Sequence, residues 1–211
     1  MEIEAKLAVP NEATFAKLQA IDQLAGYALS AGTTQQVHDT FVDTADRLIL
    51  AAGHVLRHRE MDGQILMTMK GHQRVEGAVH RREELEVTLS RDMPVSQWPE
   101  SEIRDRLLAM IGDVPLTALF DQYQTRHVRL VTQGDRTVGE WSLDRVQLSL
   151  KGKEQTYFEI EVELKDKGTE DDLAVMVACL TTEWGLRPEP RSKFSRALAL
   201  FNETSATTQR V

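Results

Sequence analysis

The chain contains one cysteine, Cys179, among 211 residues, so an internal disulfide cannot form. No apolar run approaches the ~20 residues that a membrane-spanning helix requires. Glu2 and Glu4 stand where a secretory signal would carry positive charge followed by an apolar run. These absences exclude a disulfide-stapled fold and argue against a membrane or secreted protein. We therefore expect a cytoplasmic protein.

Aromatic residues are also few: six Phe, three Tyr and three Trp. The sequence shows no obvious aromatic slot for a nucleobase or a thiazole ring. The formal net charge of −8 argues against nonspecific binding to nucleic acid or to an anionic membrane. A small anionic ligand stays compatible with this charge, because a local basic pocket can exist in an acidic protein. The length suits one domain with a sizeable core.

Charged and apolar side chains alternate along several segments that resemble β-strands. Near the start, the period of two places Glu2, Glu4 and Lys6 on one strand face and Ile3 and Ala5 on the other. The segment 159–164 repeats this pattern with three carboxylates in line. A solvated polar face would explain one such strand. Eight charged strand faces in one domain require another explanation.

The predicted strands are mostly joined by hairpins, and about five helical pieces each carry one apolar stripe. One helix is predicted from Asn11 to Gly26, the 90–121 segment has a helical pattern, and Thr169 with Asp172 resembles the capping box of a further helix. Helices packed outside, against the aliphatic strand faces, leave the charged faces inside a closed barrel. We therefore predict an α+β fold, a closed eight-stranded antiparallel β-barrel with helices packed on the outside. The alternative is an open sheet with its charged face in water. That arrangement would favour Ser, Thr, Gln and Lys over the Arg and paired Glu that are present.

The charged strand positions form a basic set and an acidic set. Basic side chains suit phosphate groups, and this set comprises Lys6, Arg57, Arg59, Lys70, Arg82, Arg126, Lys193 and Arg196. Carboxylates suit a hard divalent cation, Mg²⁺ or Mn²⁺, and this set comprises Glu2, Glu4, Asp144, Glu159 and Glu161, with Glu163 as a further candidate. Glu84 and Glu86 fit either an ion-pairing role or the metal shell. The histidines show no ligand spacing, and we interpret them as surface or packing residues.

Eight short motifs occur in order along the chain: EIEAK at 2–6, DT at 43–44, LRHR at 56–59, TMKG at 68–71, RREELE at 81–86, LD at 143–144, EIEVE at 159–163 and SKFSR at 192–196. Together they resemble the CYTH domain, the triphosphate tunnel metalloenzymes, whose first motif is ExExK. The resemblance extends over about residues 1–200. It implies an eight-stranded antiparallel β-barrel whose lumen binds a triphosphate, in agreement with the packing argument.

The resemblance also implies a metal-dependent enzyme that acts on triphosphates. Family carboxylates that match Glu2, Glu4, Glu159 and Glu161 bind metal, and the matching lysine and arginines hold phosphate. We predict the catalytic residues Glu2, Glu4, Lys6 and Arg59. Two departures from the family pattern leave the substrate size open: His58 stands where an aliphatic residue is usual, and the 90–121 segment is long.

Inorganic triphosphatase is the preferred function, because the lumen residues that can be identified are all charged. Thiamine triphosphatase and a class IV-type adenylate cyclase differ from it only in the leaving group. A different class of function is a non-catalytic module that binds polyphosphate or a nucleotide. Loss of the metal carboxylates would favour that module, and none is lost here.

We predict one CYTH-like domain over residues 1–201 and a polar tail over 202–211. Some family members carry a C-terminal helical CHAD domain, so the tail is either a linker to such a domain or an ordinary frayed end. The expected partner is a small anionic triphosphate, with no nucleic acid and no membrane. The oligomeric state stays open.

Overall fold

The computed structural model describes residues 1–61, 63–150, 153–165 and 167–208, with the backbone alone at 61, 150, 153 and 201–208. The strands are β1 Glu2–Val9, β2 Gln23–Leu24, β3 Tyr27–Leu29, β4 Thr33–Asp43, β5 Val55–Met61, β6 Gln64–Glu76, β7 Val79–Leu89, β8 Thr117–Gln133, β9 Arg136–Leu150, β10 Lys153–Leu164 and β11 Arg187–Pro188. The helices are α1 Glu12–Ala20, α2 Leu48–Ala51, α3 Glu102–Ile111, α4 Glu170–Thr182 and α5 Lys193–Thr208, with a short 3₁₀ helix at Val95–Gln97. No helix in these ranges is both long and apolar enough to cross a membrane.

Eight of the described strands close into an antiparallel ring in the order β8-β4-β5-β6-β7-β1-β10-β9, with β9 pairing back to β8. The small hairpin β2–β3 extends the sheet beside β8, and β11 pairs with β1. The predicted closed eight-stranded barrel is therefore confirmed. Closure leaves each ring strand with one face toward the lumen and one face outward.

The register of β1 against β10 decides which side chains enter the lumen. Lys6 lies opposite Glu161, and Ala5 lies opposite Val162. Ala5 and Val162 are fully buried in a core cluster with Leu173 of α4. A shift of one residue would have exchanged the faces and placed the carboxylates under the helix.

A second apolar cluster covers the outer face of β5 and β6. Leu56 and Met69 are buried there against Ile103 and Leu107 of α3. These two side chains lie on α3 four residues apart, so they share the face that meets the sheet. Both outer clusters confirm that helices cover the aliphatic strand faces.

One end of the lumen is filled by apolar side chains. Phe194 of α5 packs on Phe41 of β4 and Phe120 of β8, with ring centroids 5.3 and 5.5 Å apart. Val146 and Tyr157 belong to the same buried cluster. Strand alternation places these residues on the lumen face of their strands. The charged part of the lumen is therefore bounded at this end by α5.

Two sequence expectations extend a helix too far. The apolar spacing of residues 15–24 favoured one helix up to Gly26, but α1 ends at Ala20 and the chain enters β2. Ala25 and Gly26 both have positive φ, 52° and 85°, which is the conformation of a tight hairpin turn. The helical interpretation of 90–121 is likewise wrong at its end, because β8 begins at Thr117.

Helix α5 runs from Lys193 to Thr208. It therefore crosses most of the tail predicted at 202–211, and residues 209–211 of that tail lie outside the described residues. The division of the chain at residue 201 stays a prediction.

The predicted capping box of α4 is present. The Thr169 hydroxyl accepts from the Asp172 backbone amide, and the Asp172 carboxylate accepts from Thr169. The same carboxylate accepts from the Tyr27 hydroxyl at 2.8 Å and pairs with Arg136 at 3.1 Å. Burial by itself raises the pKa of Asp172, but the bonds from Tyr27 and Thr169 outweigh it and lower the pKa to about 2.

We expect Asp172→Ala to lower the free energy of unfolding by roughly 1–2 kcal/mol at neutral pH, through loss of the cap. Because the folded-state pKa is depressed from 3.8 to about 2, this contribution is complete above the unfolded pKa and is lost as the pH falls through the folded pKa. Urea unfolding across that pH range should show the parent and variant converging. Asp171→Ala, an exposed neighbour in the same turn, is the control. A difference that stays constant with pH would contradict this role of Asp172.

Candidate active site in the barrel lumen

The lumen encloses a cavity of about 740 Å³ that most of the predicted site residues line. The lining includes Glu2, Glu4, Lys6, Arg57, Arg59, Lys70, Arg82, Arg126, Glu161 and Lys193. Asp144 and Glu159 lie directly behind this wall and are fully buried. The cavity thus brings both predicted sets of charges together.

Lys6 is buried among carboxylates at the centre of this cavity. Its Nζ lies 2.9 Å from Glu161 Oε1 and 3.5 Å from Glu4 Oε1, and the residue is only 1% exposed. Burial by itself lowers the pKa of an ammonium, but Glu161 and Glu4 outweigh burial and raise the pKa of Lys6. Lys6 therefore stays charged inside the protein.

Three buried carboxylates form a cluster deeper in the lumen. Oxygens of Asp144, Glu159 and Glu161 all lie within 4.8 Å of one another. The Lys193 ammonium from α5 sits among them, 3.0 Å from Asp144 Oδ2 and 2.8 Å from Glu161 Oε1, and it also contacts Glu159. Arg126 forms two hydrogen bonds to Asp144, at 2.8 and 2.7 Å, and one to Glu161 at 2.7 Å. Together with Lys6, which pairs with Glu161, these two cations hold the cluster together.

The three carboxylates differ in their electrostatic state. Burial raises the pKa of each, but Arg126 and Lys193 hold the pKa of Asp144 below its ordinary value. Lys193 and Lys6 do the same for Glu161. At Glu159 burial prevails and the pKa is raised. Neither oxygen of Glu159 accepts a hydrogen bond of good geometry among the described residues.

This donor set fits a hard divalent cation. It consists of carboxylate oxygens alone, which Mg²⁺ and Mn²⁺ prefer, and Glu159 holds oxygens that lack hydrogen bonds. Glu2 and Glu4 are not members of the cluster: Glu4 faces it across Lys6, and Glu2 pairs with Lys70 and Arg82. The structure therefore divides the five predicted metal ligands into a group of three and a separate pair.

A family comparison accords with this geometry. The sequence pattern of the CYTH domain matches residues 1–198. The chain belongs to the CYTH family. No curated protein matches the sequence.

Three solved structures illustrate the fold that this CYTH protein shares. HpAC1 from Hippeastrum, a candidate adenylyl cyclase described as having a dominant triphosphatase activity, is 22% identical with a TM-score of 0.73, over 94% of this chain and 96% of that chain. A candidate adenylate cyclase from Bacillus halodurans is 20% identical with a TM-score of 0.61, over 93% and 96%. The Mimivirus capping enzyme triphosphatase is 14% identical with a TM-score of 0.50, over 84% and 86%. At these identities the likeness establishes the fold alone.

The opposite wall of the CYTH tunnel is cationic. Arg59 forms two hydrogen bonds to Asp39, at 2.6 and 2.8 Å, and Gln124 donates a third to Asp39 at 3.1 Å. Arg57 donates to the Thr68 hydroxyl at 2.9 Å, while its buried Nε has no hydrogen-bond partner among the described residues. Burial, and then the neighbouring Arg59, lower the pKa of Arg57. Asp39 and Glu86 lie 4.0 and 3.9 Å from its guanidinium, and the unpaired Nε leaves a donor for an anionic ligand.

A mixed cluster of charges lies beside this wall. Lys70 pairs with Glu2 at 3.2 Å and with Glu84 at 3.1 Å. Burial and then Arg82 and Arg57 lower the pKa of Lys70. Burial, reinforced by the neighbouring Glu2 carboxylate, raises the pKa of Glu84 to about 7. Glu84 therefore changes its charge near neutral pH.

Sequence reasoning missed two acidic residues that hold the cations in place. Asp39, 1% exposed, lies opposite Arg59 across the β4–β5 pair. Glu189 binds Arg196 at 3.1 Å, and Arg196 also stacks 3.6 Å above the Tyr157 ring. Arg196 does not line the cavity, so its predicted contact with substrate stays a prediction. Asp39 lies on the same strand face as the buried Phe41, and this position was the sequence feature that could have identified Asp39 as a lumen residue.

We expect Arg57→Ala to weaken binding of a slowly hydrolysed triphosphate analogue about tenfold or more, because a charge-assisted hydrogen bond contributes roughly 1.5–3 kcal/mol. Calorimetric titration measures this affinity. Arg47→Ala, at an exposed position outside the lumen, is the matched control. Equal affinities in the two variants would show that Arg57 does not bind phosphate.

Lys193→Met tests the carboxylate cluster without an activity assay. In chelator the variant should melt at a lower temperature than the parent, because three buried carboxylates lose an ammonium. Added Mg²⁺ or Mn²⁺ should raise the melting temperature more in the variant, because a metal and the ammonium compete for the same oxygens. Lys17→Met, at an exposed position of α1 outside the lumen, should show the metal response of the parent. An identical metal response in all three proteins would reject the cluster as a metal site.

Proposed function

We propose that this protein is a metal-dependent triphosphatase whose principal substrate is inorganic triphosphate, cleaved to pyrophosphate and phosphate. The observation that carries the proposal is the closed lumen, where a buried oxygen-donor cluster faces a wall of arginine and lysine. A triphosphate presents several negative charges along a short chain, and such a chain complements the cationic wall. The carboxylate cluster of Asp144, Glu159 and Glu161 provides the complementary position for a divalent cation.

The composition of the lining favours an inorganic substrate over a nucleotide or thiamine ester. Its phenyl rings are Phe41 and Phe194, and both pack on Phe120 at the end bounded by α5. Among the described lining residues, the charged section therefore offers a nucleobase or a thiazole ring no phenylalanine, tyrosine or tryptophan on which to stack. HpAC1, a relative in fold, is described as having a dominant triphosphatase activity, which supports hydrolysis of a triphosphate over cyclase activity.

In the proposed mechanism the cationic wall binds and orients the substrate. Arg57, Lys70 and Arg82 contact phosphate oxygens, and Arg59 is held in position by Asp39. When bound, Mg²⁺ or Mn²⁺ would supply Lewis-acid stabilisation of charge on the phosphate oxygens. Lys6 and Arg126 neutralise negative charge that develops on the leaving group.

The proton of the attacking water requires an acceptor within the lumen. Glu84 Oε1 lies 3.1 Å from the Lys70 ammonium, and its pKa of about 7 allows it to accept a proton near neutral pH. We assign this proton transfer to the Glu84 carboxylate. Because phosphoryl transfer needs the attacking and leaving oxygens in line, the enclosing barrel contributes mainly by fixing the substrate's direction.

Phosphate release from tripolyphosphate, thiamine triphosphate and ATP, each with Mg²⁺ and with Mn²⁺, tests the substrate. We expect tripolyphosphate to have the highest kcat/KM and a chelator to abolish turnover. A higher value for thiamine triphosphate, or cyclic AMP formed from ATP, would identify one of the alternative activities. Tight binding with no turnover of any substrate would identify a binding module.

Glu161→Gln tests whether the buried carboxylates serve catalysis. The change keeps the shape of the side chain and removes one charge, so we expect a fold-intact variant with a rate lowered by about 100-fold or more. Circular dichroism and the melting temperature check the fold, and phosphate release gives the rate. Glu154→Gln, an exposed position on the same strand, should retain the parent rate. A Glu161→Gln variant with the parent rate would overturn the assignment.

A further inference from the structure

A second cavity, of about 700 Å³, lies outside the barrel. It is formed between the outer faces of β4–β7 and the segment 92–116, which carries the 3₁₀ helix and α3. Its volume falls within the ~300–1,000 Å³ of pockets that bind small molecules. The barrel wall separates it from the lumen, because residues of alternating parity on the same strands line the two spaces.

The inner wall of this outer cavity is apolar and rigid. Met67, Leu89 and Val95 are each at most 4% exposed. Trp98, also 4% exposed, donates its indole N–H to the Met93 carbonyl at 3.1 Å, which fixes the orientation of its ring. Such a wall can cover the apolar body of a ligand without first paying for side-chain ordering.

The polar part of the outer cavity is acidic. Glu60, Asp92 and Asp113 belong to the lining, and its one basic side chain is His58. His58 lies 3.1 Å from Asp92 and is thereby already partnered. Among the described lining residues there is no lysine or arginine, in contrast to the lumen. An anion would meet repulsion here, whereas a cation would be attracted.

Two features of the sequence that have no role in the lumen, His58 and the long segment after β7, line this outer cavity. His58 stands between Arg57 and Arg59, which point into the lumen, so His58 points outward. The long segment after β7 supplies most of the opposite wall, from Asp92 to Leu116. Both departures from the usual pattern of the family therefore meet at one place on the outer surface.

We propose that the outer cavity is a second binding site, for a small organic cation with an apolar body and a protonated amine. The apolar wall covers the body, and two rim carboxylates attract the amine. Asp92 pairs with His58 at 3.1 Å through Oδ1, and Asp113 accepts from the Ser96 amide at 3.4 Å through Oδ1, so each carboxylate has a second oxygen for the amine. Val114, 42% exposed at this rim, provides an apolar edge next to the carboxylates. The site does not depend on the activity of the lumen.

Calorimetric titration with three probes of equal size and different charge tests the proposal: phenethylamine, 2-phenylethanol and phenylacetate. We expect saturable binding of phenethylamine, about fivefold tighter than the alcohol because exposed ion pairs add only modest energy. Phenylacetate should bind most weakly. Saturating tripolyphosphate should leave the affinity for phenethylamine unchanged, which distinguishes the outer cavity from the acidic groups of the lumen.

Two variants locate the binding. Val114→Trp should abolish it by filling the cavity from an exposed position, and Asp92→Asn with Asp113→Asn should remove the preference for the amine over the alcohol. Asp105→Asn, at an exposed position of α3, should bind like the parent. The proposal is overturned by absence of saturable binding, by equal affinities for the three probes, by competition from tripolyphosphate, or by parent-like binding in Val114→Trp.

Discussion

Charges buried inside a protein must be balanced locally, and the whole lumen depends on this constraint. Lys193 neutralises the carboxylates around it, and Arg126 links Asp144 to Glu161. On the other wall Asp39 fixes Arg59. Removing one partner of a buried pair leaves a charge that typically costs ~3–5 kcal/mol. The same residues that define the site therefore also hold the barrel interior together.

This balance explains why the proposed reaction uses a substrate and a divalent cation together. A triphosphate alone would take the arginines and lysines away from their internal carboxylates and leave those carboxylates buried without partners. A divalent cation alone would do the reverse and displace Lys193 from its three partners. Bound together, the two ligands supply new partners to both sets of charges, the phosphates to the arginines and lysines and the cation to the carboxylates. Arg57, whose buried Nε has no hydrogen-bond partner among the described residues, offers the anion a free donor.

Successive side chains along each strand point alternately into the lumen and outward, so the same pattern that places charges in the lumen determines the residues of the outer surface. On β5, Arg57 and Arg59 face inward while His58 faces the outer cavity. Two cavities of similar volume and opposite charge preference thus share one wall of the barrel. The ring of strands separates the charged lumen, where we propose that an anion binds, from an acidic outer cavity.

Local patterns in the sequence were sufficient to predict the closed barrel and the lumen faces of β1 and β10. They did not separate Asp144, Glu159 and Glu161 from the other two carboxylates of the predicted metal set. The period of two follows from the geometry of each strand alone, so it can be recognised in the sequence without knowing which strands are neighbours. The capping box of α4 could be predicted for the same reason, since Thr169 and Asp172 are three residues apart.

Only the tertiary structure decided which charges meet. The pairing of Asp39 with Arg59, the entry of Lys193 between three carboxylates and the exclusion of Arg196 from the cavity all join distant segments. These contacts depend on strand register and on where α5 docks against Phe41 and Phe120. The hairpin β2–β3 escaped prediction because its apolar spacing also fits a helix. The outer cavity escaped because its walls come from four strands and one long segment that only the closed ring brings together.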